Sequence, residues 1–242
     1  SGPSKDLTSP VVTLPPVAKK TQFFGKVGDL FSEIYIKNQR AGQIMWKGVV
    51  IDLFAGLGGA SQAFMNGEYR VERFDNNPLL KDVEHMHMFD FSKEKLMLAF
   101  CPKVMIAAPP CLEFSQAYSA PAMIAKRDRI PFEPSMAMLE VAIEHRDRLA
   151  PQYWIIENVI GSIPFFEPYL GAPTQIIGPF VLWHNCPHLV LAKHQHQAIK
   201  AHKANNDQRW SPIRSNHKAK WPISLSEALL RSVEQPTLQR WV

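Results

Sequence analysis

Residues 50–59 read Val50-Ile51-Asp52-Leu53-Phe54-Ala55-Gly56-Leu57-Gly58-Gly59. The first half is a short apolar run that predicts a buried strand, and three glycines within four residues follow it. A helix over Ala60–Met65 is expected next. Strand, glycine turn and helix together let a ligand approach the backbone, because glycine has no Cβ and the helix N-terminus offers free N–H groups. By itself the turn is equally typical of a tight connection in any α/β domain.

Composition limits the class of protein. The chain has 242 residues, 46% of them hydrophobic, which allows one large domain with a substantial core or a domain with a small appendage. The net charge of +5 and the pI of about 9.1 are compatible with a polyanionic partner. The three cysteines lack paired spacing, which favours a reducing, cytoplasmic location. No apolar run approaches the roughly 20 residues of a membrane helix, so no membrane association is expected.

Apolar runs and helical periodicity alternate along the chain. Helices are predicted over Ser135–Leu149, with Ser135 as N-cap, and over Leu225–Val233. Strands separated by helical segments predict an α/β fold with a mostly parallel sheet, in which ligands bind beyond the carboxyl ends of the strands. The predicted strands are Val50–Phe54, Tyr69–Phe74 ending at Asp75, Val104–Ala108, Tyr153–Ile156 ending at Glu157, and Phe180–Trp183. Residues Met86–Phe91 are expected to hold a short strand or a turn that ends near Asp90.

Acidic residues stand at two of these strand ends. Asp75 follows the glycines by roughly 20 residues, where an acid can accept hydrogen bonds from a ribose hydroxyl pair. Glu72 is a rival, but alternation places it within the strand, so Asp75 is preferred. Asp90 is a candidate for contact with an adenine amino group. The alternatives are a capping or turn aspartate at position 75 and a solvated turn residue at position 90.

Two further strand ends carry groups suited to catalysis. Cys111 follows Pro109 and Pro110, which fix the local backbone and direct the thiol out of the sheet. A cysteine there is a candidate nucleophile if nearby donors favour its thiolate, and a structural cysteine is the alternative. Glu157 ends an apolar strand beside Asn158, and burial at the edge of a dry pocket would raise its pKa and keep it protonated. The alternative is an edge glutamate in a salt bridge.

Three motifs in this order resemble the cytosine-5 DNA methyltransferase family. DLFAGLGG (Asp52–Gly59) resembles the family's cofactor loop, AAPPCLEFS (Ala107–Ser115) its nucleophile loop, and WIIENV (Trp154–Val159) its glutamate motif. The resemblance is good from residue 49 to residue 161 and weaker from residue 171 onward. Chain size and motif variants are similar to those of phage or mobile-element members.

The resemblance implies a Rossmann-like methyltransferase fold that uses S-adenosylmethionine. Its catalytic residues would be Cys111, Glu157, Asn158 and Pro110. Its cofactor-binding residues would be Phe54, Gly56, Leu57, Gly58, Asp75, Asn76, Asp90, Phe91 and Pro109.

The resemblance also implies the chemistry. The Cys111 thiolate would add to carbon 6 of cytosine while Glu157 hydrogen-bonds or protonates ring nitrogen 3, so that carbon 5 can take the methyl group. Asn158 would position the glutamate loop, and Glu113-Phe114-Ser115 would form a mobile loop that closes on the base. The target is a cytosine of DNA, flipped out of the duplex or already single-stranded.

The chain departs from the family at several points. Leu112 replaces the usual glutamine after the cysteine. Thr174-Gln175-Ile176-Ile177-Gly178 stands where the family has Gln-x-Arg-x-Arg, and Arg209 or Arg214 is a candidate substitute for the missing arginine. The late Gly-Asn motif is absent, although the residues from Pro222 to Leu230 resemble the helix that follows it.

These features suggest four parts: a disordered leader (1–20), a catalytic domain (21–183), a short basic target-recognition segment (184–221) and a C-terminal helix that returns to the catalytic domain (222–242). Lysines, arginines, histidines and two tryptophans in 184–221 suit phosphate contacts and base stacking, and a solvated basic loop is the alternative. The cysteine and histidines of this segment match no usual zinc spacing. A monomer is expected.

Three other functions remain compatible with the motifs. The same chemistry could act on RNA or on a nucleotide, although a nucleotide enzyme has no need of the basic segment. A catalytically weak, nucleic-acid-binding relative is a second alternative, favoured by Leu112 and the missing arginines but not by the presence of Cys111 and Glu157. A third alternative is transfer of a group other than methyl from a modified sulfonium donor.

Overall fold

The computed structural model describes residues 46–192, 195 and 211–235. These residues form one seven-stranded sheet with strand order β3-β2-β1-β4-β5-β7-β6. Strands β1 to β5 are parallel, β7 runs antiparallel to β5, and β6 runs antiparallel to β7. The strands are β1 (Val49–Leu53), β2 (Arg70–Asp75), β3 (Met86–Met88), β4 (Val104–Ala107), β5 (Tyr153–Val159), β6 (Gln175–Ile177) and β7 (Phe180–His184).

Helices cover both faces of the sheet. They are α1 (Gln62–Met65), α2 (Pro121–Asp128), α3 (Ala137–Leu149), α4 (Ile163–Leu170), α5 (Arg214–Ala219) and α6 (Ile223–Glu234). All side chains of β1 and β4 are buried, as expected for central parallel strands covered on both faces. The predicted α/β fold with a mostly parallel, Rossmann-like sheet is confirmed.

The two faces of the sheet have separate cores. Alternate residues of the strands, such as Val50 and Ile155, join the core under α1 and α6. Their neighbours, such as Ile51 and Ile156, join the core that includes α3 and α4. Helix α6 is fixed to α1 by one side chain, because the Ser226 hydroxyl donates to the Ala60 carbonyl at 2.6 Å and accepts from the Ala63 N–H at 3.0 Å.

Several predicted boundaries are wrong. Strand β5 continues to Val159, so Glu157 lies inside it, paired with Leu182 of β7, because the antiparallel partner extends the ladder beyond the end of β4. The N-cap position of α3 is Met136 rather than Ser135, whose hydroxyl still accepts from the Ala137 N–H at 3.3 Å. Helix α1 starts at residue 62 instead of 60, and β3 ends at residue 88, two residues before the end expected near Asp90.

The leader (1–20) and residues 193–194, 196–210 and 236–242 lie outside the described residues. Arg209, one of the two suggested substitutes for the family arginine, is among them. The predicted recognition segment (184–221) is therefore described only at its ends. At one end His184 completes β7, and at the other α5 and Trp221 lie beside the glycine turn.

Candidate active site at the carboxyl edge of the sheet

The glycine turn after β1 has an unusual backbone. Phe54, Gly56 and Gly58 all have positive φ, of 56°, 54° and 67°. The turn is tied to β2 by two hydrogen bonds: the Ala55 N–H donates to the Phe74 carbonyl at 3.0 Å, and the Gly56 N–H donates to Oδ2 of Asp75 at 2.9 Å. The left-handed conformation explains the glycines at 56 and 58, because side chains rarely adopt it.

Gly58 has a second reason to be glycine. A Cβ at this position would collide with the guanidinium of Arg73, which is 1% exposed beneath the turn. The Arg73 side chain donates to the carbonyls of Gly58 (3.0 Å) and Glu84 (2.9 Å) and to the Ser61 hydroxyl (2.9 Å). The resemblance implies that Gly58 binds the cofactor, and this stays a prediction; the contacts show in addition that a Cβ at Gly58 would collide with a buried arginine.

Substitution of Gly58 by alanine is expected to destabilise the fold well beyond the effect of backbone strain. Gly56 is the matched control, because its φ of +54° is similar and a Cβ there would meet only the Asn216 amide, at 3.4 Å. We expect Gly56→Ala to cost about 1 kcal/mol from the left-handed conformation. Gly58→Ala should cost about 3 kcal/mol, since the buried arginine must also shift from its hydrogen bonds. Urea unfolding of the two variants measures both losses, and equal losses would contradict the role assigned to Arg73.

A buried polar relay joins Arg73 to β1. Asp52 and Arg73 are register partners on β1 and β2, and the Ser61 hydroxyl lies between them, donating to Oδ2 of Asp52 at 2.6 Å. Burial raises the pKa of Asp52 to about 6, although the Ser61 hydrogen bond and the Arg73 charge oppose the rise. Burial also lowers the pKa of Arg73. The sequence pattern gave no signal for this relay, since an arginine in a strand ordinarily indicates an exposed position.

The acidic candidates lie in different settings. Asp75 is half-buried at the end of β2, where its second oxygen accepts from the Asn77 N–H at 2.9 Å, and the neighbouring Asn76 is exposed. The rival Glu72 is buried within β2 and interacts with Arg70 and with Nε2 of His87 (2.7 Å). Asp75 is therefore the acid that contacts the glycine turn.

Asp90 and Phe91 follow β3. The Asp90 carboxylate accepts from the backbone N–H (3.0 Å) and hydroxyl (2.6 Å) of Ser92 and pairs with Lys93 at 2.8 Å. These interactions, the one with Lys93 first, lower the pKa of Asp90 to about 2. Phe91 is buried, and its ring centroid lies 4.8 Å from that of Phe54, so the two rings form an apolar wall beside the glycine turn.

The loop that carries Cys111 is held by β5. The Asn158 amide, fully buried, donates to the Pro109 carbonyl at 3.0 Å. Gly161 lies so close to the Phe114 carbonyl that a Cβ at position 161 would overlap it. Phe114 is itself buried, with its ring centroid 5.1 Å from that of Phe166. The chain is thus fixed on both sides of Cys111.

Cys111 precedes a short 3₁₀ turn, Leu112–Phe114. It is half-buried and not in a disulfide, while the Leu112 side chain is 63% exposed. Glu113, expected in a mobile loop, accepts a hydrogen bond from the Ser135 N–H at 2.6 Å. The cysteine is therefore accessible at the edge of the sheet, with a large apolar side chain beside it.

Glu157 is the second candidate catalytic group on β5. It is 9% exposed, and burial raises its pKa to about 8. The indole N–H of Trp221 partly opposes this rise in pKa. The indole nitrogen and the Glu157 carboxyl do not, however, meet the geometric criteria of a regular hydrogen bond. The last pair between β4 and β5 is Ala107 with Ile156. Glu157 and Asn158 follow Ile156 directly, and they therefore lie level with the start of the Cys111 loop that follows β4. The structure thus brings the predicted nucleophile loop and glutamate motif together.

Strand β6 holds the residues that stand where the resemblance predicts the Gln-x-Arg-x-Arg motif, and its glutamine contacts the chain after β7. Gln175 of β6 makes two hydrogen bonds to the Leu189 backbone, at 2.9 and 3.0 Å. Ile177 is buried and Ile176 is exposed. Arg214, the other suggested substitute, is exposed at the start of α5. Trp221, which the sequence analysis placed in the recognition segment, is the side chain beside Glu157.

No group of three or more histidine, cysteine, aspartate or glutamate side chains in the described part is arranged to hold a metal ion. No described helix is both long and apolar enough to cross a bilayer.

Comparison with known proteins gives weak likenesses. No protein-family model and no curated protein sequence matches the chain. Among solved structures it is similar to a prophage-encoded E. coli protein assigned as a DNA modification methyltransferase (20% identity, 48% of this chain, 33% of that chain, TM-score 0.33). It is also similar to a TehB-like SAM-dependent methyltransferase from Corynebacterium glutamicum (11% identity, 65% of this chain, 96% of that chain, TM-score 0.37). A third similar structure is a Pyrococcus abyssi tRNA (uracil-54, C5)-methyltransferase bound to S-adenosyl-L-homocysteine (10% identity, 53% of this chain, 28% of that chain, TM-score 0.30).

The chain spans only a third of the first of these proteins. At such identities and TM-scores the likenesses decide neither substrate nor chemistry, which must be argued from the sheet and the site.

Proposed function

We propose that this protein transfers a methyl group from S-adenosylmethionine to carbon 5 of cytosine in DNA, through a Cys111 adduct at carbon 6. The observation that carries the proposal is a contact between the cysteine loop and the strand of the glutamate motif. The Asn158 amide holds the Pro109 carbonyl at 3.0 Å, which places the Cys111 loop against the strand that carries the buried Glu157. A thiol and a protonated carboxyl at one edge of a parallel sheet suit nucleophilic catalysis on a ring that needs protonation.

The residues present fit the cofactor. Each Asp75 oxygen accepts one backbone N–H, so each keeps a second lone pair for a ribose hydroxyl. Phe54 and Phe91 offer an apolar wall for an adenine ring. Gly56 has room above it, because a Cβ there would meet only the Asn216 amide, at 3.4 Å. When bound, S-adenosylmethionine would supply an electrophilic methyl group on a sulfonium. Contact between Asp90 and the adenine amino group stays a prediction. Gly58, which has no Cβ, leaves room for the Arg73 side chain beneath the turn.

The chain's own groups account for the activation of cytosine. The Cys111 thiolate forms a bond to carbon 6, the electron pair of the 5,6 double bond shifts to the 4,5 position, and the pair of the 3,4 double bond moves to ring nitrogen 3. Glu157, protonated below a pH of about 8, gives its proton to ring nitrogen 3. Carbon 5 of the ring then has enamine character and can accept the methyl group. Loss of the carbon 5 proton to a base reforms the double bond, the carbon–sulfur bond breaks, and nitrogen 3 returns its proton to Glu157.

The surface beside the nucleophile suits a polyanion. Helix α2 and its C-cap carry Lys126, Arg127 and Arg129 against Asp128, and the exposed Tyr118 ring lies 5.2 Å from the Arg127 guanidinium. Basic side chains with an exposed aromatic ring favour phosphate contact and base stacking. Leu112, exposed next to Cys111, is of the type that enters base steps when a nucleotide is extruded.

Transfer of labelled methyl from S-adenosylmethionine tests the proposal. We expect label in duplex or single-stranded DNA, and mass analysis of the nucleosides should identify 5-methylcytosine. RNA and free cytidine nucleotides form the parallel arms. Label in RNA alone would move the same chemistry to the RNA substrate. If the protein binds the cofactor but labels none of the four substrates, the proposal is wrong and the binding-protein alternative replaces it.

A further inference from the structure

We propose that Trp221 is a positioning residue for Glu157, with its indole N–H held at the carboxylate that forms when Glu157 gives up its proton. The inference deepens the proposed function and rests on it. The donor it names acts on Glu157 itself, which differs from the role that sequence reasoning offered to Arg209 or Arg214, namely support of the cytosine carbonyl oxygen.

The indole is a buried donor that still needs an acceptor. Trp221 is 3% exposed, and its Nε1 has no regular hydrogen-bond partner within the described part of the chain. Buried N–H groups are rarely left unpaired, so an acceptor for this atom is to be sought among the groups around it. Glu157 supplies that acceptor, because its neutral carboxyl becomes charged once the proton has moved.

Both side chains belong to the same face of the sheet. Glu157 is two residues from Ile155, and strand alternation places them on one side. Ile155 and Trp221 are members of the core under α1 and α6. Phe180, which belongs to the same core, has its ring centroid 5.9 Å from that of Trp221. Asn158 takes the opposite side and holds the Pro109 carbonyl, so adjacent residues of β5 have different partners.

The backbone of Trp221 is fixed against the glycine turn. A Cβ at Gly59 would come within 2.7 Å of the Trp221 nitrogen and 2.8 Å of its carbonyl oxygen. Pro222 follows directly and caps α6, which Ser226 ties to Ala60 and Ala63. Trp221 therefore joins the turn to Glu157, and its rotamer freedom is limited by packing on both sides.

Among the described residues, the Trp221 indole is the one group that favours the charged form of Glu157. The titratable groups on the surrounding elements are Asp52 on β1, Cys111 after β4, His184 on β7 and Lys220 next to Trp221. Burial raises the pKa of Glu157, and only the Trp221 indole, among the described residues, opposes it. Loss of the N–H should therefore raise the pKa of Glu157 further and make it hold its proton more tightly.

The experiment measures the Glu157 carboxyl directly and does not depend on catalysis. The full chain is labelled with ¹³C at the glutamate carboxyl carbons, and Glu157→Gln identifies the resonance of Glu157. Titration is then compared between the parent protein, Trp221→Phe, and a protein with benzothienylalanine at position 221. The last substitution keeps the bicyclic shape and replaces the N–H by sulfur, so it remains informative if Trp221→Phe fails to fold.

We expect the pKa of Glu157 to rise by about one pH unit in both variants, since an N–H donor to a carboxylate favours the charged form. The high-pH limb of the methyl-transfer rate should move upward by the same amount, and kcat should fall about tenfold. Trp154→Phe is the matched control: it removes an indole from β5 that lies under Arg146, and neither quantity should change.

An unchanged Glu157 pKa in the benzothienylalanine protein overturns the inference, whatever happens to the rate. A fall in kcat with an unmoved pH profile also overturns it, because loss of packing alone would produce that result. If the pKa rises as expected but the parent protein methylates no nucleic acid, the Trp221–Glu157 contact is upheld and the proposed function alone is overturned.

Discussion

Substitution of Cys111 by alanine is expected to lower the rate of cytosine methylation by about 10⁴-fold, since the covalent route is lost and only binding and orientation remain. Cofactor affinity should change little, because the glycine turn and Asp75 belong to β1 and β2. The fold should also survive, since Cys111 is half-buried and the loop is held through Pro109 and Phe114. Single-turnover methyl transfer, with cofactor binding measured alongside, gives both quantities.

The adduct itself can be trapped with DNA that contains 5-fluorocytosine. In the presence of S-adenosylmethionine, carbon 5 should receive the methyl group, and the fluorine there cannot leave as a proton does. The bond to sulfur should therefore persist, and the protein mass should increase by that of the DNA strand and the transferred methyl group. Cys101→Ala is the matched control, because Cys101 is exposed and lies before β4, away from the site. Trapping that persists in Cys111→Ala, or that disappears in Cys101→Ala, would contradict the assignment of the nucleophile.

Glu157→Gln is expected to reduce the methylation rate about 10³-fold and at the same time to stabilise the protein at neutral and higher pH. The rate falls because an amide cannot give a proton to ring nitrogen 3. Stability rises because burial raises the pKa of Glu157 from 4.5 to about 8, so the folded protein holds a proton that the unfolded chain releases.

The sign of the pH dependence follows from that proton. Between pH 4.5 and about 8 the native state binds more protons at this site than the unfolded state, so the parent protein loses stability as the pH rises through the window. The glutamine variant lacks this loss, and its advantage should grow by at most about 1.4 kcal/mol per pH unit. Urea unfolding at pH 5 and pH 8 tests this. Glu167→Gln, on the exposed side of α4, should show no such growth. An equal advantage at both pH values would show that Glu157 is already charged.

Much of the architecture could be predicted from local pattern. The apolar runs of β1, β4 and β7 lie within a residue or two of their predicted bounds, because strands buried on both faces are continuously hydrophobic. Short elements with weak patterns were less accurate. Strand β3 has only three residues, and the end of β5 depends on its antiparallel pairing with β7, which no local signal reveals.

For the candidate site, too, local pattern predicted some features and not others. Cys111, Glu157, Asn158 and Asp75 were identified because each is an unusual residue at the end of an apolar run. The sequence could not predict which atoms they contact. Asn158 was expected to position the glutamate loop, which stays a prediction, and its amide also donates to the carbonyl of Pro109 in the cysteine loop. Gly58 was assigned to the cofactor, and its missing Cβ makes room for Arg73.

The sequence by itself determined the fold class and the candidate chemistry, because hydrophobic periodicity and the order of short motifs are local properties of the chain. The tertiary structure alone decided which distant residues share the site. Arg73 lies under the glycine turn because register pairs it with Asp52, and Trp221 shares a core with Ile155 of β5 because α6 packs on α1. Such contacts depend on strand order and helix packing over more than 60 positions of the chain between Glu157 and Trp221, which no local pattern encodes.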